Sequence, residues 1–272
     1  MDKISLAGDL GSGKSTVASI LMEALGAEKY STGTIVRGIA ERMGMTIGEL
    51  NVYMETHPEI DTEIDDGLVA LADDPRSLII DSRMAWHFTK GTFKVYLSTD
   101  VEIASARIMS ANRTGEHVAT LEQTIDCTKD RRKSERKRYL TQYGVDITDL
   151  SNYSLVVDTT YATPEEVAGV ILSSLERWRG DREATFCYLS PERLNYLDDG
   201  HDSDKVSEYS SALERGEEIP PVEVFEIDGE FYIDRGQESA LAYAFNFSTY
   251  VPVTLIKGEL GERKYVKMKN SL

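Results

Sequence analysis

The chain has 272 residues, more than one average domain, with 41% hydrophobic and 28% charged residues and a formal net charge of −17. That composition supplies real cores, while so acidic a balance argues against a broad electrostatic surface for nucleic acid, since phosphate neutralisation needs clustered lysine and arginine. No apolar run approaches a membrane span, no secretory signal opens the sequence, and the two cysteines, Cys127 and Cys187, form no metal-binding spacing; a reduced, cytosolic setting is therefore expected.

In chain order, Ile4–Ala7 predicts a short buried strand, and Ser15 to Leu25 has the apolar periodicity of a helix. Between them Gly8-Asp9-Leu10-Gly11-Ser12-Gly13-Lys14-Ser15 fits the phosphate-binding pattern G-x-x-x-x-G-K-[ST] at every fixed position. In a strand–loop–helix setting the glycines let backbone N–H groups turn inward around an anion, and the helix N-terminus adds partial positive charge. Lys14 is expected to reach the β- and γ-oxygens of a nucleoside triphosphate such as ATP. The Ser15 hydroxyl is expected to ligate Mg²⁺, and the binding stretch extends to Thr16.

A second strand is expected at Glu28–Tyr30, followed by Ser31-Thr32-Gly33 and by Arg37 on a helix. A hydroxyl and a guanidinium so placed suit an acceptor phosphate, although a capped helix with a surface arginine has the same spelling. Thr46 and Glu49 form a capping-box pattern. The strand Leu78–Asp81 ends on Asp81, where α/β sheets present ligand-binding groups; this carboxylate suits a Mg²⁺ ligand or a base, and a turn residue is its structural alternative. Arg83 follows as an acceptor-phosphate candidate. After a strand at Phe93–Leu97, Arg107 and Arg113 flank Ser110 to His117, a segment placed to act as a lid.

Lys129 to Arg138 then carries Lys129, Arg131, Arg132, Lys133, Arg136, Lys137 and Arg138. A solvated helix face and a cationic wall for a transferring phosphoryl group both fit this run. Arg131 and Arg138, seven positions apart, share one helix face. Lys14, Asp81, Arg107, Arg113 and Arg131 make the expected catalytic set, with Ser31, Arg37, Arg83, Arg131 and Arg138 around the acceptor. A strand at Leu155–Asp158 and a helix from Thr163-Pro164-Glu165-Glu166 to about Trp178 complete a parallel sheet covered on both faces, an α/β fold.

Arg179 to Thr185 is polar and aperiodic, which places a domain boundary between residues 1–178 and 188–272. Beyond it the pattern predicts a short helix after Ser190-Pro191, a helix at Lys205 to Arg215 closed by Gly216, and strands Val222–Ile227 and Glu230–Asp234 around the hairpin turn Asp228-Gly229. A helix at Gln237–Phe245 and a strand at Tyr250–Lys257 finish a small α+β unit.

The first part resembles the cytidylate kinase family, especially its short archaeal-type branch. The resemblance rests on Gly8–Ser15, Ser31-Thr32-Gly33 with Arg37, His57-Pro58-Glu59-Ile60-Asp61, Arg131, Ser134-Glu135-Arg136-Lys137-Arg138-Tyr139, Tyr143-Gly144-Val145-Asp146 and Tyr153-Ser154-Leu155-Val156-Val157-Asp158. It implies a five-stranded nucleoside monophosphate kinase fold, Mg²⁺-ATP as donor and a pyrimidine nucleoside monophosphate such as CMP or dCMP as acceptor. Two acceptor-side positions depart from the family pattern. Arg132 stands where an acidic residue often follows the arginine matching Arg131, and Asp81-Ser82-Arg83 lacks the usual intervening glycine.

Residues 188–260 resemble more faintly a ParB-like/sulfiredoxin-like fold, through Tyr209 to Gly216, Pro220-Pro221-Val222, Asp228-Gly229, Tyr232-Ile233-Asp234 and Val251-Pro252-Val253. At its strand–helix junction, Asp234-Arg235-Gly236-Gln237-Glu238, Gln237 and Glu238 replace the histidine and arginine of nucleotide-handling members. A non-catalytic module for substrate recruitment, homo-oligomerisation or partner binding is therefore expected.

Two alternatives accompany the nucleotide-kinase expectation. One is phosphorylation of a hydroxyl, as by the hydroxymethyluracil-DNA kinases of bacteriophages, with Asp81 as base, a DNA partner met through the Lys129–Arg138 run, and the host cytoplasm as location. The other is an ATP-binding switch that controls the C-terminal module.

Overall fold

The computed structural model describes residues 1–111 and 120–268. Its first half alternates strand and helix: β1 (Lys3–Gly8), α1 (Lys14–Leu25), β2 (Glu28–Ser31), α2 (Thr32–Met43), α3 (Ile47–Met54), α4 (Pro58–Ala70), β3 (Leu78–Asp81), α5 (Ala85–Phe88), β4 (Phe93–Ser98), α6 (Val101–Ser110), α7 (Leu121–Tyr143), β5 (Leu155–Asp158) and α8 (Pro164–Gly180). These five strands pair in parallel in the order β2-β3-β1-β4-β5. Parallel strands need helical crossovers, so both sheet faces are covered and the inner strands are largely apolar, whereas the edge strand β2 reads Glu28-Lys29-Tyr30-Ser31. On one face Ile4, Leu6, Ile79, Val95 and Val157 pack on α1 and α8 through Val17, Leu21, Ile171 and Leu175. On the other, Leu78 and Ile80 meet Leu68, Met84, Tyr139 and Ile147.

The helix starts follow local chemistry. Thr46 and Glu49 form a complete capping box at α3, and Thr163 and Glu166 form another at α8, where Pro164 occupies the first turn. Asp100 caps α6 by accepting from the N–H groups of Glu102 and Ile103.

The second half contributes β6 (Phe186–Leu189), β7 (Leu194–Leu197), α9 (Ser203–Glu214), β8 (Val222–Ile227), β9 (Glu230–Arg235), α10 (Gln237–Phe245), β10 (Val251–Leu255) and β11 (Tyr265–Lys267). The sheet does not stop at the polar stretch after α8. Strand β6 pairs in parallel with β5, Leu155 opposite Phe186, and antiparallel with β10, Val251 opposite Leu189. One 11-stranded sheet results among the described residues, in the order β11-β7-β9-β8-β10-β6-β5-β4-β1-β3-β2. Pairing covers the edge that β5 would otherwise leave open. The core crosses the junction too: Ala7, Tyr96, Tyr153 and Val156 share a cluster with Leu189, Val222, Val224, Phe231 and Val251.

Three differences from expectation lie in this half. The helix after Ser190-Pro191 is a single 3-10 turn, Pro191–Arg193, that runs straight into β7. Strands β6, β7 and β11 have four, four and three residues, too short to show an alternation that marks them. The expected strand Tyr250–Lys257 is ordered as Val251–Leu255. The hairpin signal holds: Asp228 and Gly229 both adopt positive φ, 52° and 88°, as a two-residue β8–β9 turn requires.

Candidate active site

The loop joining β1 to α1 is built from glycines for two distinct reasons. Gly8 has φ 142°, and a Cβ there would sit 2.3 Å from the Leu97 carbonyl oxygen; one on Gly11 would sit 2.5 Å from that of Ala104. Close backbone packing therefore demands both. Gly13, with φ 79°, is the N-cap of α1 and supplies no capping side chain, which suits the start of this helix to an anion.

The Lys14 ammonium lies over this loop, donating to Gly8 O at 2.9 Å, Asp9 O at 2.6 Å and Ser12 Oγ at 3.3 Å. Burial, with the nearby Arg83 charge, pushes its pKa down to about 7 against the pull of Asp81 and Asp9. The loop thus holds a cation in search of an anion, and its residues fit the tail of a triphosphate. Ser15 and Thr16 are exposed at the start of α1, where a hydroxyl suits Mg²⁺. Asp81 ends β3 opposite Leu6 of β1, and its carboxylate pairs with Lys29 at 3.5 Å. Among the described residues no group of three His, Cys, Asp or Glu gathers.

Two cavities adjoin the loop. One, of about 320 Å³, is lined by Gly11, Gly13, Thr16, Arg107, Ile108 and Thr159. Arg107 is tied down there, Nη2 donating to the carbonyls of Thr159 at 2.7 Å and Thr160 at 3.0 Å. The structure thus sets Arg107 on this smaller cavity, apart from Arg83 and Glu135, which line the larger one. The second cavity, of about 770 Å³, includes Gly8, Asp9, Leu10, Arg83 and Glu135, and also Glu226 to Asp228 of the β8–β9 turn.

Arg83 and Arg131, expected on the acceptor side, are organised by a residue that the sequence motifs include but to which no site role was given. Glu135 is buried and accepts from Arg83 Nε at 2.5 Å and from Arg131 Nε at 3.0 Å, while Arg83 Nη1 donates to Gly8 O at 3.2 Å. Burial by itself raises the Glu135 pKa, but the two guanidiniums outweigh it and hold the carboxyl at about 2. Two arginines are thereby fixed at the mouth of the phosphate loop through one ionised carboxylate. Arg131 and Glu135 meet because i and i+4 share a helix face. Arg132 turns to another side and pairs with Asp9 at 2.9 Å.

Arg138 is buried, in an ion pair with Asp61 at 2.8 Å and donating to Asn51 O at 3.3 Å and Asn51 Oδ1 at 3.2 Å. Burial pushes Asp61 up to about 6 despite the opposing Arg138 charge. Arg138 therefore ties α7 to α3 and α4. Ser31 and Arg37 converge: a Cβ placed on Gly33 would sit 3.7 Å from Ser31 Oγ and 3.5 Å from Arg37 Nη1. Ser31 is the N-cap residue of α2 but makes no side-chain cap, and Arg37 is exposed, donating to Thr34 Oγ1 at 3.2 Å. Hydroxyl and guanidinium are thus left to a ligand. Arg113 and most of the Ser110–His117 segment lie outside the described residues.

Lys14, Arg83 and Arg131 are accordingly brought together around Gly8 and Glu135, with Asp81 on the neighbouring strand end. Sequence reasoning named Asp9 in the loop and quoted Asp61, Arg132 and Glu135 in motifs or the basic run without naming partners for their side chains; Asn51 it missed. For Glu135 the signal existed in its i,i+4 spacing from Arg131; for the other four no local pattern marks the partner. In the C-terminal half, the junction after β9 is a structural joint. A Cβ on Gly236 would lie 2.4 Å from Pro221 O, and Gln237 accepts from Leu197 N at 2.5 Å and donates to Gly200 O at 2.9 Å.

Comparison with known proteins agrees with this geometry. The model of the cytidylate kinase-like family matches residues 3–161. The chain is 38% identical over 178 residues to a cytidylate kinase of Thermoplasma volcanium, covering 64% of this chain and 91% of that one. It is also 38% identical over 176 residues to an S-adenosylmethionine-dependent nucleotide dehydratase of Lacinutrix mariniflava, covering 64% of this chain but 36% of that protein. A sulfiredoxin structure from Arabidopsis thaliana aligns with 27% of this chain and 86% of its own, at 21% identity and a TM-score of 0.25, too low to carry an argument. No helix among the described residues is long and apolar enough to cross a membrane.

Proposed function

Because the chain belongs to the cytidylate kinase-like family of P-loop kinases, which use ATP and Mg²⁺, we propose that it moves the γ-phosphate of ATP to a pyrimidine nucleoside monophosphate, CMP or dCMP. The observation that carries this reading is Glu135, an ionised carboxylate held between Arg83 and Arg131 beside Gly8. A carboxylate only accepts hydrogen bonds, so it suits the exocyclic amino group of cytosine and not the carbonyl that uracil presents there. The acceptor phosphate meets Ser31, Arg37 and the neighbouring guanidiniums. An anionic acceptor needs positioning and charge neutralisation more than a base.

When bound, Mg²⁺ would be held by Ser15 and Asp81 with the triphosphate oxygens and would neutralise the charge developing on them. Lys14 supplies a proton-bearing cation to the same oxygens, and Arg83 and Arg131 supply fixed positive charge on the acceptor side.

The position of Asp81, at the end of the strand beside β1, favours one second reading, a hydroxyl acceptor deprotonated by that carboxylate. One assay separates them. Purified protein with labelled Mg²⁺-ATP is offered a panel of nucleoside monophosphates, natural DNA and hydroxymethyluracil-containing DNA. Label on CDP or dCDP supports the proposal; label on DNA supports the hydroxyl reading. Tight ATP binding with no transfer at all would leave only a switch. Asp81→Asn should cost a loss that raised Mg²⁺ partly restores if Asp81 orders the metal, and a loss that Mg²⁺ does not touch if it is a base.

A further inference from the structure

An anionic side chain inside a phosphate-binding loop is a liability, because it repels the ligand that the loop is built to hold. Asp9 occupies that position, and three groups hold its carboxylate. Tyr96 Oη donates at 2.7 Å, the Thr99 N–H at 3.0 Å, and Arg132 forms an ion pair at 2.9 Å. Arg132 is the only one of the three that carries charge, so its ion pair offsets the charge of Asp9 directly, beside the nearby Lys14 ammonium.

Arg132 lies against the C-terminal half. A Cβ on Gly229, in the β8–β9 turn, would lie 3.7 Å from Arg132 Nη1. The same turn is anchored by Arg193, itself 3% exposed, whose Nη2 donates to Gly229 O at 2.8 Å and whose Nη1 pairs with Asp100 at 3.5 Å. Asp100 caps α6 and follows Thr99, whose N–H reaches back to Asp9. The contacts therefore run from the C-terminal half to the loop through Gly229, Arg193, Asp100, Thr99 and Asp9, and Arg132 reaches Asp9 from a cavity that it lines together with Glu226 to Asp228. Arg193 and Gly229 come from the half of the chain beyond the kinase match.

We propose that the C-terminal half is a working part of the donor site: through Arg193 and Arg132 its β8–β9 turn keeps Asp9 neutralised and fixed, so that the loop presents its amides to a triphosphate. Arg132 is a positioning residue in this scheme, acting through Asp9. The proposal rests on the P-loop as donor site and is independent of which acceptor is used.

The test is calorimetric titration of the full chain with Mg²⁺ and a non-hydrolysable ATP analogue, folding being checked by circular dichroism. Arg132→Gln should weaken binding about tenfold, the scale of one lost charge-assisted interaction. Arg132→Lys should stay within about threefold of the parent, since a single charge suffices. The double variant Asp9→Asn/Arg132→Gln should recover to within about threefold, because the carboxylate charge that needed cancelling is gone. Arg193→Gln should weaken binding about fivefold, and Arg193→Lys is the variant to use if that protein does not fold. Undiminished binding by Arg132→Gln, or a double variant as weak as Arg132→Gln, overturns the proposal; normal binding by a folded Arg193 variant removes the C-terminal half from it. If the parent protein binds the analogue yet phosphorylates no nucleoside monophosphate, the acceptor assignment fails while this test stands.

Discussion

At the scale of single residues, the site works by matching buried charges. Lys14 is the clearest case, its pKa pushed down from 10.5 to about 7 mainly by burial. A bound triphosphate favours the protonated form, so the complex keeps a proton that the free protein has begun to lose. Binding of the ATP analogue should therefore take up a proton between pH 7 and 10, and affinity should fall as pH rises through 7. Calorimetry in buffers of different ionisation enthalpy measures the uptake directly; Lys14→Ala should abolish it together with activity. The linkage to folding has the opposite sense. The unfolded chain binds this proton up to about 10.5 and the folded free protein only to about 7, so the Lys14 contribution to stability improves as pH rises across that window. Glu135 gives a second test. In Glu135→Gln a neutral amide that also donates replaces the carboxylate between Arg83 and Arg131. Cytidine-nucleotide phosphorylation should drop about tenfold or more in kcat/KM, and the ratio of UMP to CMP use should rise. An unchanged ratio would separate Glu135 from base recognition.

Elements convert these residues into a site by their periodicity. Helix α7 carries Arg131 and Glu135 together, Arg138 toward Asp61 and Arg132 toward Asp9, so a run that reads as one basic block is divided by the helical turn among separate partners. Helix α8 supports the sheet from below, and its start is the most elaborately tied. Thr163 accepts from the Glu166 N–H at 3.2 Å, Glu166 Oε2 accepts from the Thr163 N–H at 2.8 Å, and Glu166 Oε1 accepts from Thr249 Oγ1 at 2.8 Å. Thr163→Ala should lower stability by about 1 kcal/mol, the usual cost of a lost cap, read as a shift in the urea midpoint with unchanged slope. Activity per folded molecule should be preserved, because the cap touches no site residue.

For the whole molecule, the continuous sheet has a thermodynamic consequence. Strand β6 joins β5 to β10, and Tyr96, Tyr153 and Val156 share their core cluster with Val222, Phe231 and Val251. Unfolding by urea should then be a single transition, with tryptophan fluorescence, which reports Trp86 and Trp178 in the first half, coinciding with hydrogen exchange in β8–β10. Two separated transitions would show that the halves fold independently. A chain ended after α8 should aggregate, since β5 becomes an open edge beside exposed Tyr96 and Val156 neighbours.

What the amino-acid order determined by itself is local. The P-loop spelling, the parallel strands of the first half, the capping boxes and the Asp228-Gly229 turn each depend on residues a few positions apart, whose preferences are expressed wherever the chain goes. Tertiary structure alone decided the rest. No periodicity announces that β6 will extend the sheet past a polar stretch, because a four-residue strand acquires its identity from the edge that it covers. Nor does any local rule bring Arg83 to Glu135 across 52 positions, or Arg132 to Asp9. Those contacts exist because packing buries charges that only partners distant in sequence can satisfy.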